Sequence, residues 1–220
     1  MPANVEIKAR VRNLAQLVSH AERLSGSPGH AIVQTDTFFS VPCGRLKLRD
    51  FRDGRGQLIF YDRPDTEGPK LSHYAISSTE DPAGLAVVLS QALGVKGVVK
   101  KERRLYIVGQ TRVHVDRVEG LGDFMELEQT YDSWVYQGHM AWPGGGLFVR
   151  GPLRLSAALA RDEIREPSLL PYLQVVLEDQ QSPRDGERVA QQLMAELGVG
   201  KEDLLSGAYL DLLAGGAPRP

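Results

Sequence analysis

Charged side chains recur at every second position in several short segments of this chain. In residues 4–11, Glu6, Lys8 and Arg10 alternate with apolar residues. Side chains two apart in a strand point to the same face, so this pattern predicts strands with one charged and one apolar face. Four further segments share it: 45–49, 101–103, 112–116 and 126–128. Together the five segments place eight basic residues and four acids on one face, namely Lys8, Arg10, Arg45, Lys47, Arg49, Lys101, Arg103 and Arg112 with Glu6, Asp116, Glu126 and Glu128.

The excess of basic residues on this face predicts an anionic ligand. Like charges two apart on one strand are roughly 7 Å apart and repel each other unless an anion lies between them. A single strand of this kind is typical of any antiparallel sheet with one solvated face. Five such strands favour a surface that binds a polyanion, with carboxylates remaining for a cation.

Composition limits the classes of protein to consider. The net charge of −2 over 220 residues argues against a general nucleic-acid binder, so the basic clusters are local. Cys43 is the single cysteine, which excludes intrachain disulfides and cysteine zinc sites. No apolar run approaches the roughly 20 residues of a membrane span. Met1, Pro2 and Ala3 lead directly into the first strand, so we expect no signal peptide and a cytoplasmic protein.

Helix caps and alternating segments together predict an α+β fold. Helices are expected to begin after Asn13, Asp81 and Ser182, with Pro82 and Pro183 as first residues, and a short final helix at 202–213. Further strands are predicted at 34–40, 45–52, 57–63, 71–77, 98–109, 111–117, 123–128 and 172–178. Polar inner and apolar outer faces favour a closed eight-stranded antiparallel β-barrel, a tunnel with helices packed on its outside.

Residues 129–172 interrupt this pattern. They include Trp134, Trp142 and the run 143–146, with neither a helical nor a strand period. An irregular segment of this length is unusual inside a compact domain. We therefore expect one domain over 1–213, interrupted by an insert at about 129–172, and a flexible tail at 214–220. The insert is either a lid over the site or a segment that does not fold with the rest.

Four motifs in order resemble one known family. Residues 4–8, 44–49, 101–103 and 113–128 are similar to the CYTH superfamily of triphosphate tunnel metalloenzymes, especially the class IV adenylate cyclase-like and thiamine triphosphatase branch. The resemblance covers about 1–128 and 172–213. It implies an eight-stranded tunnel in which basic side chains bind a triphosphate and glutamates hold Mg²⁺ or Mn²⁺.

The resemblance also assigns roles to individual positions. It implies phosphate binding by Arg10, Arg45, Lys47, Arg49, Arg63, Lys101 and Arg103, catalytic roles for Lys8, Arg112 and Asp116, and metal binding by Glu6, Glu126 and Glu128. Asn4 stands where the family's Glu-x-Glu-x-Lys signature has its first acid. Its amide oxygen can still coordinate a dication but supplies no charge. His114 shares the polar face, either as a base or hydrogen-bonded to an aspartate for structural reasons.

Two enzymatic reactions and two other functions remain open at this point. The resemblance implies metal-dependent triphosphate hydrolysis or adenylate cyclase-type cyclisation, with ATP, thiamine triphosphate or inorganic triphosphate as substrate. The incomplete signature at Asn4 favours a non-catalytic binder of nucleotide or polyphosphate. A single-stranded RNA binder would need aromatic stacking platforms. Because Phe38, Phe39, Phe60 and Tyr61 are typical of barrel packing, we disfavour nucleic acid as a partner. A homodimer stays open, and no membrane partner is expected.

Overall fold

Eight strands form a closed barrel in which every neighbouring pair is antiparallel. The computed structural model describes residues 3–66, 68–131 and 183–215. Around the barrel the order is β1-β5-β4-β3-β2-β6-β7-β8. The strands are β1 Ala3–Arg10, β2 His30–Phe39, β3 Arg45–Asp50, β4 Gly56–Asp62, β5 Lys70–Thr79, β6 Val95–Val108, β7 Thr111–Val118 and β8 Gly122–Tyr131. The predicted α+β barrel is therefore confirmed.

The helices begin where the sequence predicts them. They are α1 Leu14–Ser25, α2 Pro82–Leu93, α3 Pro183–Glu196 and α4 Tyr209–Leu213, with a 3₁₀ turn at Lys201–Asp203. The side chain of Asn13 caps α1 by accepting the Gln16 N–H at 3.1 Å. Asp81 caps α2 by accepting the Gly84 N–H at 2.8 Å. In the described part of the chain, no helix combines the length and apolarity needed to cross a membrane.

The first strand closes the barrel. β1 pairs with β5 on one side and with β8 on the other, where Glu6 lies opposite Glu128 and Lys8 opposite Glu126. The strand predicted at 172–178 lies outside the described residues and is not among the eight. β8 extends to Tyr131, so residues 129–131 of the expected insert are strand. The rest of that insert lies outside the described residues, and the division into domain, insert and tail stays a prediction.

The predicted final helix at 202–213 is wrong, because an extended stretch divides it. Gly207 has a φ of 76° there, which a continuing helix does not allow. Backbone groups of this stretch bind the barrel instead of forming helical bonds. The Leu205 N–H donates to the Lys8 carbonyl at 2.9 Å, and the Leu205 carbonyl accepts from Lys70 Nζ at 2.9 Å. Only residues from Tyr209 onward then form α4.

The larger apolar core lies between the barrel and two helices. α1 and α3 cover the outer faces of β1, β6, β7 and β8 through a continuous buried cluster. Its members include Ile7, Leu17, Tyr106, Val113, Met125, Leu127, Leu193 and Leu197. Since these apolar residues alternate with the charged ones, packing of the outer face orients the charged side chains inward.

We predict that Leu197→Ala lowers the free energy of unfolding by about 2–5 kcal/mol, because it opens a cavity in this core. Leu197 is 2 % exposed and follows α3 directly. Val87→Ala on α2 is the control. Val87 is 58 % exposed, so its loss should stay within about 0.5 kcal/mol. Urea unfolding measures both, and equal losses would show that α3 does not share the barrel core.

Candidate functional site

The barrel encloses a cavity of about 390 Å³. Nine residues predicted for the site line it, and they come from six segments of the chain. They are Glu6, Lys8, Lys47, Arg49, Arg63, Lys101, Arg112, Glu126 and Glu128. The lining residues from β4 and β5 carry no charge and are Gln57, Ile59, Tyr61, Ser72, Tyr74, Ile76 and Ser78. One part of the wall is thus strongly charged and the opposite part is neutral.

Four predicted residues do not line the cavity. Arg10, at the end of β1, is exposed and lies over the Phe124 ring at 5.2 Å. Arg45 Nη2 contacts Asp65 at 2.5 Å and Asp211 at 3.4 Å, next to α4. Arg103 and Asp116 are buried and share the inward face of β6 and β7, but they are not among the residues that line the cavity.

Acids and bases of the cavity pair with one another. Lys8 Nζ is 3.0 Å from Glu126 Oε1, and Arg63 Nε is 2.8 Å from Glu6 Oε1. Burial would raise the pKa of Glu126, but the charges of Lys8 and Lys101 hold it well below the usual value. For Glu6, burial prevails and raises the pKa. Because isolated charges are costly inside a protein, this pairing is what allows so many to share one barrel.

Asp36 is an acid of the cavity that sequence reasoning missed. It lies on β2, is 3 % exposed, and accepts from Lys47 Nζ at 3.0 Å and from Arg49 Nε and Nη2 at 2.9 and 3.0 Å. Burial raises the pKa of Asp36, yet the charges of Arg49 and Lys47 lower it well below its usual range. The signal was present, because Gln34 and Asp36 alternate with less polar residues in a predicted strand.

Asp116 is a buried point of convergence for three donors. It accepts two hydrogen bonds of 2.6 Å from Arg103, one of 3.0 Å from Lys101 Nζ and one of 3.1 Å from the Tyr209 hydroxyl. Despite burial, Arg103 and Lys101 lower the pKa of Asp116 to about 2. Arg103 Nη2 also contacts Glu126. Asp116 is therefore placed to orient Arg103 and Lys101 without lining the cavity itself.

The segment before and within α4 closes one end of the barrel. The Tyr209 ring lies 3.9 Å from Lys8 Nζ and 4.9 Å from Lys101 Nζ. Arg63 Nη2 donates to the Gly207 carbonyl at 3.0 Å. Lys70, which already donates to Leu205, has its pKa lowered to about 8 by burial and by the nearby Arg63 and Lys8. Neither Tyr209 nor Lys70 was predicted for the site, since only the fold brings 70 and 209 to β1.

A group of oxygen donors on β1 and β8 fits a divalent cation. Glu6 and Glu128 are partners in register, and Glu126 lies two residues along the same strand. The Asn4 Oδ1 atom is buried and has no hydrogen-bond partner among the described residues. Carboxylate and amide oxygens are the ligands that Mg²⁺ and Mn²⁺ take. The unsatisfied amide oxygen of Asn4, which lines the same cavity as the three carboxylates, is the observation that matches such an ion, although Glu6 is also held by Arg63.

We predict that Asp36→Asn lowers the free energy of unfolding at pH 7 by about 3–5 kcal/mol, because Lys47 and Arg49 lose their buried partner. The pKa of Asp36 is depressed in the folded state, so its contribution is present at neutral pH and disappears as the pH falls through that low value. The difference between the two proteins should therefore shrink below about pH 3.9. Asp123→Asn, which removes the partner of the exposed Arg117, is the control and should lose under about 1 kcal/mol. Denaturant unfolding over pH measures this, and a constant difference would contradict the assignment.

Comparisons with known proteins agree with the fold and show the family. The PH1012 protein of Pyrococcus horikoshii OT3 is 19% identical with a TM-score of 0.64, over 95% of this chain and 98% of that one. A candidate adenylate cyclase from Vibrio parahaemolyticus is 18% identical with a TM-score of 0.58, over 96% and 98%. The candidate adenylyl cyclase HpAC1 from Hippeastrum, described as revealing a dominant triphosphatase activity, is 15% identical with a TM-score of 0.56, over 99% and 98%. No curated protein matches the sequence significantly. Residues 2–135 match the CYTH domain, and the chain therefore belongs to the CYTH domain family.

Proposed function

We propose that this protein binds a triphosphate-containing substrate inside the barrel and carries out divalent-metal-dependent phosphoryl chemistry on it. The observation that carries the proposal is one cavity whose lining holds both basic and acidic groups. Lys47, Arg49 and Arg112 lie on β3 and β7, while Glu126 and Glu128 lie on β8. Membership of the CYTH family and the folds of the structural neighbours support it.

Arg112 is the cation best placed to take a phosphate. Its nearest acid is Glu128, with 4.0 Å between Nη1 and Oε2, and its buried Nε has no hydrogen-bond partner among the described residues. Burial, followed by repulsion from Arg103 and Arg49, lowers the pKa of Arg112, although Glu128 opposes this. An anion beside Arg112 would satisfy both its charge and its free N–H. A guanidinium suits phosphate oxygens because its N–H groups form a planar fork.

Other basic side chains must exchange partners to bind phosphate. Lys47 and Arg49 are held by Asp36, Lys101 by Asp116 and Lys8 by Glu126. We assign Lys8, Lys47, Arg49, Arg63 and Lys101 to the phosphate chain, because all of them line the cavity. Arg103 and Asp116 act by positioning, since they bind lining residues but do not line the cavity themselves. Arg10 and Arg45 would contact only parts of a substrate that reach beyond the cavity.

Glu6, Glu126 and Glu128 are the residues that would hold the cation, with the Asn4 amide oxygen beside them. Bound Mg²⁺ or Mn²⁺ supplies charge stabilisation on phosphate oxygens and lowers the pKa of bound water. The protein's own contribution is to hold an extended phosphate chain between basic strands, so that little reorganisation is needed in the transition state. Lys8 lies between the two sets of groups, 3.0 Å from Glu126 and over Tyr209.

Hydrolysis is the reaction that the geometry supports best. It requires the phosphate-binding residues, the cation and water. Cyclisation also requires that ribose and base be seated so that the 3′-hydroxyl attacks. The neutral wall with Tyr61 and Tyr74 offers a surface for such an organic group, and so cyclisation is the second candidate. Asn4, in place of a carboxylate, favours a third candidate, a binder without turnover.

The proposal predicts phosphate release from inorganic triphosphate, ATP or thiamine triphosphate in the presence of Mg²⁺ or Mn²⁺, and its loss in chelator. Arg112→Ala should lower kcat/KM by about 10- to 100-fold, the equivalent of about 1.5–3 kcal/mol for a charged hydrogen bond. Arg117→Ala is the matched control, because Arg117 lies on the same strand with a side chain 63% exposed. A parallel measurement of cyclic AMP identifies cyclisation.

Binding without turnover would establish the non-catalytic candidate. Absence of binding to all three compounds, with or without metal, would overturn the proposal. Equal effects of the two arginine variants would show that Arg112 does not contact the substrate.

A further inference from the structure

His114 is a buried histidine that the proposed function does not use. It lies on β7 opposite Glu126 of β8 and is 0 % exposed. Within the described residues, neither of its ring nitrogens has a hydrogen-bond partner. The expected hydrogen bond from His114 to an aspartate is thus not formed, because Asp116 is taken up by Arg103, Lys101 and Tyr209. A fully buried polar ring without a partner is unusual in a folded protein.

The unpartnered ring faces two carboxylates. His114 Nδ1 is 3.7 Å from Glu128 Oε1 and 3.8 Å from Glu126 Oε2. These distances are too long for hydrogen bonds. The donor atoms of all three residues lie within 4.8 Å of one another. Two ligands about 2.1 Å from one tetrahedral ion are about 3.4 Å apart, so small side-chain rotations would bring the three onto a shared cation.

We propose that His114 Nδ1 joins Glu126 and Glu128 in a divalent cation site that prefers transition metals such as Mn²⁺, Co²⁺ or Zn²⁺ over Mg²⁺. An imidazole nitrogen is a better ligand for first-row transition metals than for Mg²⁺. A site made only of oxygens, by contrast, does not favour transition metals over Mg²⁺ or Ca²⁺ in this way. The inference rests on the proposed function in that it places the same cation near Glu126 and Glu128, and it adds a ligand and a metal preference.

The surroundings of the three residues are consistent with this assignment. An imidazole nitrogen is a common ligand of such metals, and among the described residues no group hydrogen-bonds to Nδ1 of His114. Glu126 is shared with Lys8 and Arg103, whereas Oε1 of Glu128 faces His114. His114 and Glu128 therefore have fewer competing partners, and Glu126 joins them as a ligand that must first be released by Lys8 and Arg103.

Two measurements on the substrate-free protein test the site. Calorimetric titration should show that His114→Gln weakens Co²⁺ binding by more than about 10-fold, while Mg²⁺ binding changes by less than about threefold, because glutamine replaces the nitrogen by a neutral oxygen. His73→Gln is the matched control: it removes an exposed histidine of β5 and should change neither affinity. Equal losses for Co²⁺ and Mg²⁺, or no loss for either, would overturn the proposal.

Pulsed electron paramagnetic resonance of Mn²⁺ bound to the unmodified protein gives an answer that does not depend on the folding of any variant. We expect the Mn²⁺ electron spin to couple to an imidazole nitrogen. The same coupling should be present in the His73→Gln control. Mn²⁺ bound without nitrogen coupling would overturn the inference even if triphosphate turnover continues. Nitrogen coupling in a protein without turnover would support the metal site and contradict only the proposed reaction.

Discussion

Charge pairing inside a closed barrel is the constraint on which this structure depends. Cations and carboxylates are buried together along the inner wall, and each costs several kcal/mol to remove from water unless it finds a partner. Asp36 pairs with Arg49 and Lys47, and Asp116 with Arg103 and Lys101. The same groups are suited to phosphate and to a divalent cation. On the proposed function, the barrel is stable without ligand and still offers both kinds of site, because ligands would exchange partners with groups that are already charged.

The outer face and the C-terminal segment make this interior possible. α1 and α3 bury the apolar side of four strands, which fixes the register and directs the alternate, charged side chains inward. Tyr209 then closes one end, with its hydroxyl on Asp116 and its ring beside Lys8 and Lys101. Asp116, Arg103 and Lys101 are at most 5 % exposed, so the electrostatic interactions among them are stronger than they would be in water.

The sequence was sufficient for those features that follow from alternation within one strand. A period of two is a local property, so the charged faces, the barrel class and eight of the residues that line the cavity could be predicted from it, while Arg63 was assigned only through the family resemblance. Features that depend on contacts between distant segments could not. Tyr209 becomes a site residue only because α4 enters the barrel end. Alternation in β2 did point to Asp36, but its partners Lys47 and Arg49 follow only from the pairing of β2 with β3. Alternation also predicts to which face of a strand a side chain points, but not how far along the barrel the residue lies. For this reason Arg10 shares a face with Lys8 and still lies outside the cavity.

The central claim is that phosphate and metal replace the ion-pair partners that the charged side chains have in the ligand-free barrel. The most direct test is whether binding of one ligand changes the affinity for the other. Calorimetry measures the affinity for imidotriphosphate, a triphosphate analogue, once in chelator and once with Mn²⁺. After correction for metal that the analogue binds in solution, the ratio of the two affinities gives the coupling between the ligands. When phosphates draw Lys8 away from Glu126, the carboxylates are left for the cation, so Mn²⁺ should tighten analogue binding by at least about fivefold, and the analogue should tighten Mn²⁺ binding by the same factor. Equal affinity with and without Mn²⁺ would contradict the account.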